Sequence, residues 1–218
     1  MTITLYGFLP SGNVYKVRLL LALLGIPHRR VEVSQLTGNT GSAAFRAINP
    51  IGKVPAVRLD DGRVLSESGA ILYHFALGTP FWPAEPWDQA QALRWMFFEQ
   101  YSHEPPIAGN RYWLRYQPAA ARAGKEAMIE ANRGRGAQAL AVMEGHLAAH
   151  SWFSGPAYGI ADIALYAYTH VAEEGEFNLA PFAAVRGWLE RVAAQRGHIT
   201  LLQETSAEPV ATLEPNAR

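Results

Sequence analysis

The chain has 218 residues, 49% of them hydrophobic and 17% charged, enough for one large domain or two small ones with packed cores. Nineteen basic residues balance nineteen acidic ones, so the basic footprint that nucleic acid or an anionic membrane requires is missing. Cysteine is absent, which excludes disulfides, thiolate metal sites and any mechanism in which the protein supplies its own thiol.

Residues 1–6 alternate as a strand does, with no basic segment ahead of them, so no signal peptide is read and a cytoplasmic location is the expectation. The longest apolar run, residues 19–24, is too short to span a bilayer. A loop at 7–12 leads into a helix in which Val14, Val17, Leu20, Leu21 and Leu24 fall at helical spacing, stopped by Gly25 and Pro27. Residues 30–33 form a second strand, so this strand–helix–strand unit predicts a parallel pair with a crossover helix. A polar loop at 34–42 and a short helix at 43–47 follow. Asp60-Asp61-Gly62 is a hairpin turn that pairs residues 54–59 with 63–65 antiparallel. Ser66-Glu67-Ser68 introduces a helix carrying Ile71, Leu72 and Phe75, with Gly78 as its stop.

A proline-dense connector then leads into a region of helical period. One helix is predicted over 87–116, bent where Pro105 and Pro106 remove backbone donors. Others are predicted over 119–150, from Gly159 onward and over 182–194, and the tail after Thr200 is expected to pack loosely. The predicted organisation is an α/β domain at 1–78 (βαβ–ββα, a mixed four-stranded sheet), a linker at 79–87 and an all-α helical domain at 88–218.

Three places carry candidate chemistry. Ser11 and Asn13 stand where a loop enters a helix, where hydroxyl and amide donors near a helix N-terminus stabilise an anion such as a thiolate; either residue could equally be a plain helix cap. Glu67 and Ser68 open another helix, suited to a ligand bearing both an ammonium and a carboxylate, with capping again the ordinary alternative. Val54-Pro55, before the hairpin, is a natural place for a cis bond or for a trans proline starting an edge strand. His146 and His150 lie one helical turn apart without a third ligand, so no metal site is read, and a solvated face is the better account. His103-Glu104 reads as a solvated or satisfied pair. Asp162 reads as a structural cap for the helix after Gly159.

The order βαβ–ββα, Asn49-Pro-Ile-Gly-Lys-Val-Pro55, Leu65-Ser-Glu-Ser-Gly-Ala-Ile71 and Tyr158-Gly-Ile-Ala-Asp-Ile-Ala-Leu165 together resemble the glutathione transferases. The helix entry Pro10-Ser-Gly-Asn-Val-Tyr-Lys-Val-Arg-Leu19 resembles the bacterial serine-type, Nu-like branch. The resemblance implies a thioredoxin-like first domain, a helical second domain and a glutathione site, with no metal. It assigns the glutathione thiolate to Ser11 first, Asn13 second and Tyr6 third. Val54 and Pro55 would meet the glutathione backbone, Glu67 and Ser68 its γ-glutamyl end, and Lys53 with Asn39 its glycyl carboxylate. Phe8, Leu9, Arg111 and Tyr112 would line the pocket for an electrophilic or disulfide substrate. The implied activity is thiol transfer. Glutathione-dependent disulfide reduction or peroxidation, isomerisation or dehalogenation on the same site, and a non-catalytic binding module stand as alternatives. A homodimer is the implied assembly.

Overall fold

The computed structural model describes residues 3–213, which divide into two compact units, one of residues 78–195 and one of the remainder.

The first unit is built on a mixed sheet. Strands β1 (Ile3–Tyr6) and β2 (His28–Glu32) are parallel, joined through α1 (Gly12–Leu23). After α2 (Ala43–Ile48), β3 (Ala56–Arg58) pairs antiparallel with both β1 and β4 (Val64–Ser66), and α3 (Ser68–Ala76) follows. Period-two alternation divides β1 between two cores. Ile3 and Leu5 pack with Val14, Val17 and Leu21 of α1 and Ile71 of α3. Tyr6 faces the other way, toward Val31, Val33 and Phe45 of α2.

Two expectations require correction here. The sheet has five strands in the order β4-β3-β1-β2-β5, because β5 (Ala211–Thr212) pairs parallel with β2. The tail is also not loose, and residues 196–213 belong to the first unit rather than to the helical domain expected over 88–218, whose last five residues lie outside the described ones. Tyr15 Oη donates to Ile199 O (2.7 Å), Arg18 Nη1 to Leu201 O (2.8 Å), and Arg30 Nη2 pairs with Glu204 (2.8 Å). A two-residue strand has no period to read, and its partners lie some 180 residues away, so no local pattern announces either feature.

The second unit is helical: α4 (Pro86–Phe98), α5 (Glu104–Arg111), α6 (Glu126–Leu147), α7 (Ile160–Thr169) and α8 (Ala183–Ala193). Pro86 opens α4 at a position where no amide donor is needed. The run expected over 87–116 is continuous but widens twice, into π-helical turns at Glu99–His103 and Tyr112–Tyr116. Pro105 and Pro106 have no N–H to offer the carbonyls one turn back, and the first wide turn falls there. Every residue of α7 is buried, which makes it the centre of this unit. Around it Trp95, Phe153 and Trp188 meet edge-on, with ring centroids 4.6 and 5.2 Å apart.

Candidate active site

Ser11 is the N-cap of α1. Its extended backbone lets Oγ accept from Val14 N at 3.4 Å, and the hydroxyl proton remains available for a second partner. The loop before it is held close to the helix, since a Cβ on Gly7 would lie 2.5 Å from Val14, so only glycine fits between β1 and α1. Phe8 and Leu9 are half-buried in this loop, where the Phe8 carbonyl accepts from Ser11 N (3.0 Å) and the Leu9 carbonyl from Arg18 (3.4 Å).

Asn13 lies two residues beyond the cap. Its Oδ1 accepts from Lys16 Nζ at 2.7 Å and from Ser68 Oγ at 3.2 Å. The thiolate candidate on α1 and the carboxylate candidate on α3 therefore share one polar cluster. Ser68 is buried in the first turn of α3, and Glu67, the N-cap residue, is exposed. Glu67 has φ +67°, a region that L residues other than glycine rarely occupy, and its side chain makes no capping bond. Such a conformation costs about 1–3 kcal/mol and persists where the surroundings dictate it, as at ligand sites.

The Val54-Pro55 bond is cis. The turn before it is tied by Asn49, whose Nδ2 donates to Lys53 O (2.7 Å) and whose Oδ1 accepts from Ile51 N (3.3 Å). Asn49 is 2% exposed, and its structural part was legible as the Asx turn that an Asn-Pro-x-Gly stretch favours. Lys53 is exposed on the same turn. Asn39 stands apart, on a 3₁₀ turn (Asn39–Gly41), with Nδ2 3.5 Å from Leu213 O. Tyr6 is 7% exposed in the sheet with its ring near Phe45 (centroids 6.4 Å), which is a core position.

In the second unit Arg111 is buried with Nε 2.7 Å from Glu174 and its guanidinium 5.1 Å from the Tyr116 ring. Tyr112 is half-buried, edge-on to Trp113 at 5.4 Å. His103 is buried with Nε2 2.9 Å from Thr169 Oγ1. His146 and His150 are stacked 4.3 Å apart, and His146 also stacks on Phe153 rather than lying on a solvated face; burial lowers its pKa. Asp162 is fully buried and accepts three N–H groups: Trp188 Nε1 (2.9 Å), Gly159 N (3.1 Å) and Phe153 N (3.2 Å). Burial pushes its carboxyl up to about 7 against those donors. Among the described residues no group of three or more His, Cys, Asp or Glu could hold a metal, and no helix is long and apolar enough to cross a membrane.

Lys16, Arg18 and Arg30 were not singled out from the sequence. Each is nearly buried, at 1%, 0% and 4% exposure. The signal that was available is a lysine and an arginine interrupting the apolar face of α1, where a charge survives only with partners.

Comparison with known proteins bears on the family of the chain. Residues 10–76 match the glutathione S-transferase N-terminal domain and residues 89–196 the C-terminal domain. The chain is 30% identical to glutathione S-transferase 3 of Zea mays, over 88% of this chain and 89% of that protein. It is 29% identical to the disulfide-bond oxidoreductase YfcG of Escherichia coli K12, over 86% and 89%. Among solved structures, a glutathione S-transferase from Xanthobacter autotrophicus Py2 has 46% identity and a TM-score of 0.87, over 92% of this chain and 97% of that one. A theta class enzyme from Xanthomonas axonopodis pv. citri with glutathione bound has 27% identity and a TM-score of 0.82, over 93% and 99%. The protein belongs to the glutathione S-transferase family.

Proposed function

We propose that this chain binds reduced glutathione on its first unit and stabilises the thiolate for attack on an electrophilic carbon, as a member of the serine-type bacterial branch. The observation that carries the reading is the hydrogen bond from Ser68 to Asn13, which places the first turns of α3 and α1 in one polar cluster. Two helix N-termini then serve one anionic peptide: α3, with Ser68 and Glu67, takes the γ-glutamyl carboxylate and ammonium, while α1, with Ser11 and Asn13, takes the sulfur. Val54 and Pro55 meet the peptide backbone, and exposed Lys53 is the cation for the glycyl carboxylate, with Asn39 in support. The sulfur forms a bond to carbon and the leaving group departs with the bonding pair. The protein supplies position and donors, and the nucleophile belongs to the cosubstrate. Phe8 and Leu9 remain candidates for the acceptor side. Arg111, already paired with Glu174, fits a structural part better, and Tyr112 is left as the aromatic candidate.

Likeness to YfcG, a disulfide-bond oxidoreductase, favours a second reading on the same site. Glutathione thiolate attacks a disulfide and expels one thiolate, and a second glutathione resolves the mixed disulfide, releasing the other thiol and glutathione disulfide. With no cysteine in the chain, both electrons come from the two glutathiones. A cytoplasmic, homodimeric protein completes the proposal. The exposed rings of Phe97 (70%) and Tyr101 (88%) are suited to a second copy.

Calorimetric titration of the purified protein with reduced glutathione is the test, followed by thiol-transfer and disulfide-reduction assays. Saturable binding with turnover in either assay is the expected result. No heat at millimolar glutathione overturns both readings and leaves a family fold used for another partner.

A further inference from the structure

Lys16 is 1% exposed, yet it carries an ammonium. Taking such a group out of water costs several kcal/mol unless hydrogen bonds replace the solvent. Its Nζ donates to Asn13 Oδ1 at 2.7 Å, and Ser68 Oγ donates to the same oxygen at 3.2 Å. An ammonium has donors only, so the Asn13 atom that faces it is necessarily the carbonyl oxygen, and the side-chain amide cannot flip. Nδ2, the donor end of the amide, is thereby the end that Asn13 can turn toward an anion. A charge-assisted bond to the oxygen also polarises the amide and makes its N–H a stronger donor. Burial keeps salt from screening the charge.

We propose that Lys16 is a positioning residue for the glutathione thiolate, acting through Asn13: its buried ammonium pins the amide oxygen and sets the donor edge toward the sulfur. The inference rests on the reading of the α1 and α3 N-termini as the glutathione site. It assigns Lys16 a part that a simple i, i+3 tie within one helix does not require.

The test is the thiolate absorbance of bound glutathione in the ultraviolet at neutral pH, with kcat and KM for glutathione, in the parent protein, Lys16→Met, Lys16→Arg, Asn13→Ala and the double variant. Lys16→Met is expected to lower the thiolate signal and kcat about tenfold, the loss of about one pKa unit of thiol acidity, while KM for glutathione moves less than about threefold. Lys16→Arg restores most of the signal. The losses of Lys16→Met and Asn13→Ala are not additive, as one route to the sulfur demands. A parent-like thiolate signal in Lys16→Met, or additive losses, overturns the proposal while glutathione binding by the parent stands. No glutathione binding by the parent overturns the underlying reading instead. If Lys16→Met loses its cooperative melt, Lys16→Gln carries the same comparison.

Discussion

Ser68 Oγ donates to Asn13 Oδ1 over 3.2 Å, joining the first turns of α3 and α1 across 55 positions of sequence. A hydrogen bond to an ionised partner contributes about 1.5–3 kcal/mol, and a neutral one about 1. In the proposed site, replacing Ser68 by Ala therefore removes more from ligand binding than from folding. Glutathione affinity measured by calorimetry should fall about tenfold or more, with the melting temperature changed by only a few degrees. Unchanged affinity would remove Ser68 from the site.

Ser11 caps α1, and substitutions can separate that duty from the thiolate duty proposed for it. Ser11→Ala loses the cap on α1 and should cost about 1 kcal/mol of unfolding free energy in urea. Ser11→Asp keeps an acceptor for the Val14 amide, so stability should hold to within about 0.5 kcal/mol. In the proposed site the same change puts a carboxylate beside the thiolate, and kcat/KM should drop at least about tenfold. An active Ser11→Asp variant would transfer the thiolate duty to Asn13.

Asp162 makes stability depend on pH. Its carboxyl is raised from the usual 3.8 to about 7 by burial. Between those values the unfolded chain releases the proton and the folded chain keeps it, so stability falls as pH rises and levels off above about pH 7. Unfolding free energies from urea titrations at pH 5 and pH 8 should differ by a loss on the order of 3 kcal/mol from this group. In Asp162→Asn that dependence should flatten. The variant should also be about 2 kcal/mol less stable at pH 5, because an amide cannot accept from Trp188, Phe153 and Gly159 with both of its ends.

The tail is fastened to α1 and β2 through two buried arginines. Arg18 reaches the carbonyls of Leu201 and Gln203, and burial holds its guanidinium down to about 10. Arg30 holds Glu204 while Nη1 donates to Gly7 O at 2.9 Å. Arg18→Met leaves those carbonyls without a donor and should cost about 2–4 kcal/mol. Limited proteolysis with mass spectrometry should then show new cuts beyond residue 195. Glu204→Gln should cost about 1 kcal/mol or less, since Glu204 is 37% exposed. A tail equally resistant in Arg18→Met would show that Tyr15, Arg30 and β5 hold it without Arg18.

The elements that could be read from the sequence are those with a local signature. The βαβ order, the Asp60-Asp61-Gly62 hairpin and the helix stops at Gly25 and Gly78 follow from periodicity and turn chemistry over a few residues. Ser11 as a cap and Asn49 in an Asx turn are of the same kind. The candidate site was legible residue by residue but not as a cluster. Ser68 and Asn13 each had an ordinary capping explanation, and nothing in either segment told which partner the side chain would meet.

Composition and pattern thus determined the two kinds of unit and the absence of a protein thiol, and the resemblance to the glutathione transferases named the loops on which a glutathione site was sought. Tertiary structure alone decided that Lys16 and Arg18 are buried, that Ser68 bonds Asn13, and that the last strand returns to β2. Periodicity reports which face of an element is apolar. Which polar groups share a buried space depends on contacts between segments far apart in sequence, and there a charged residue is retained only if the fold supplies its partner.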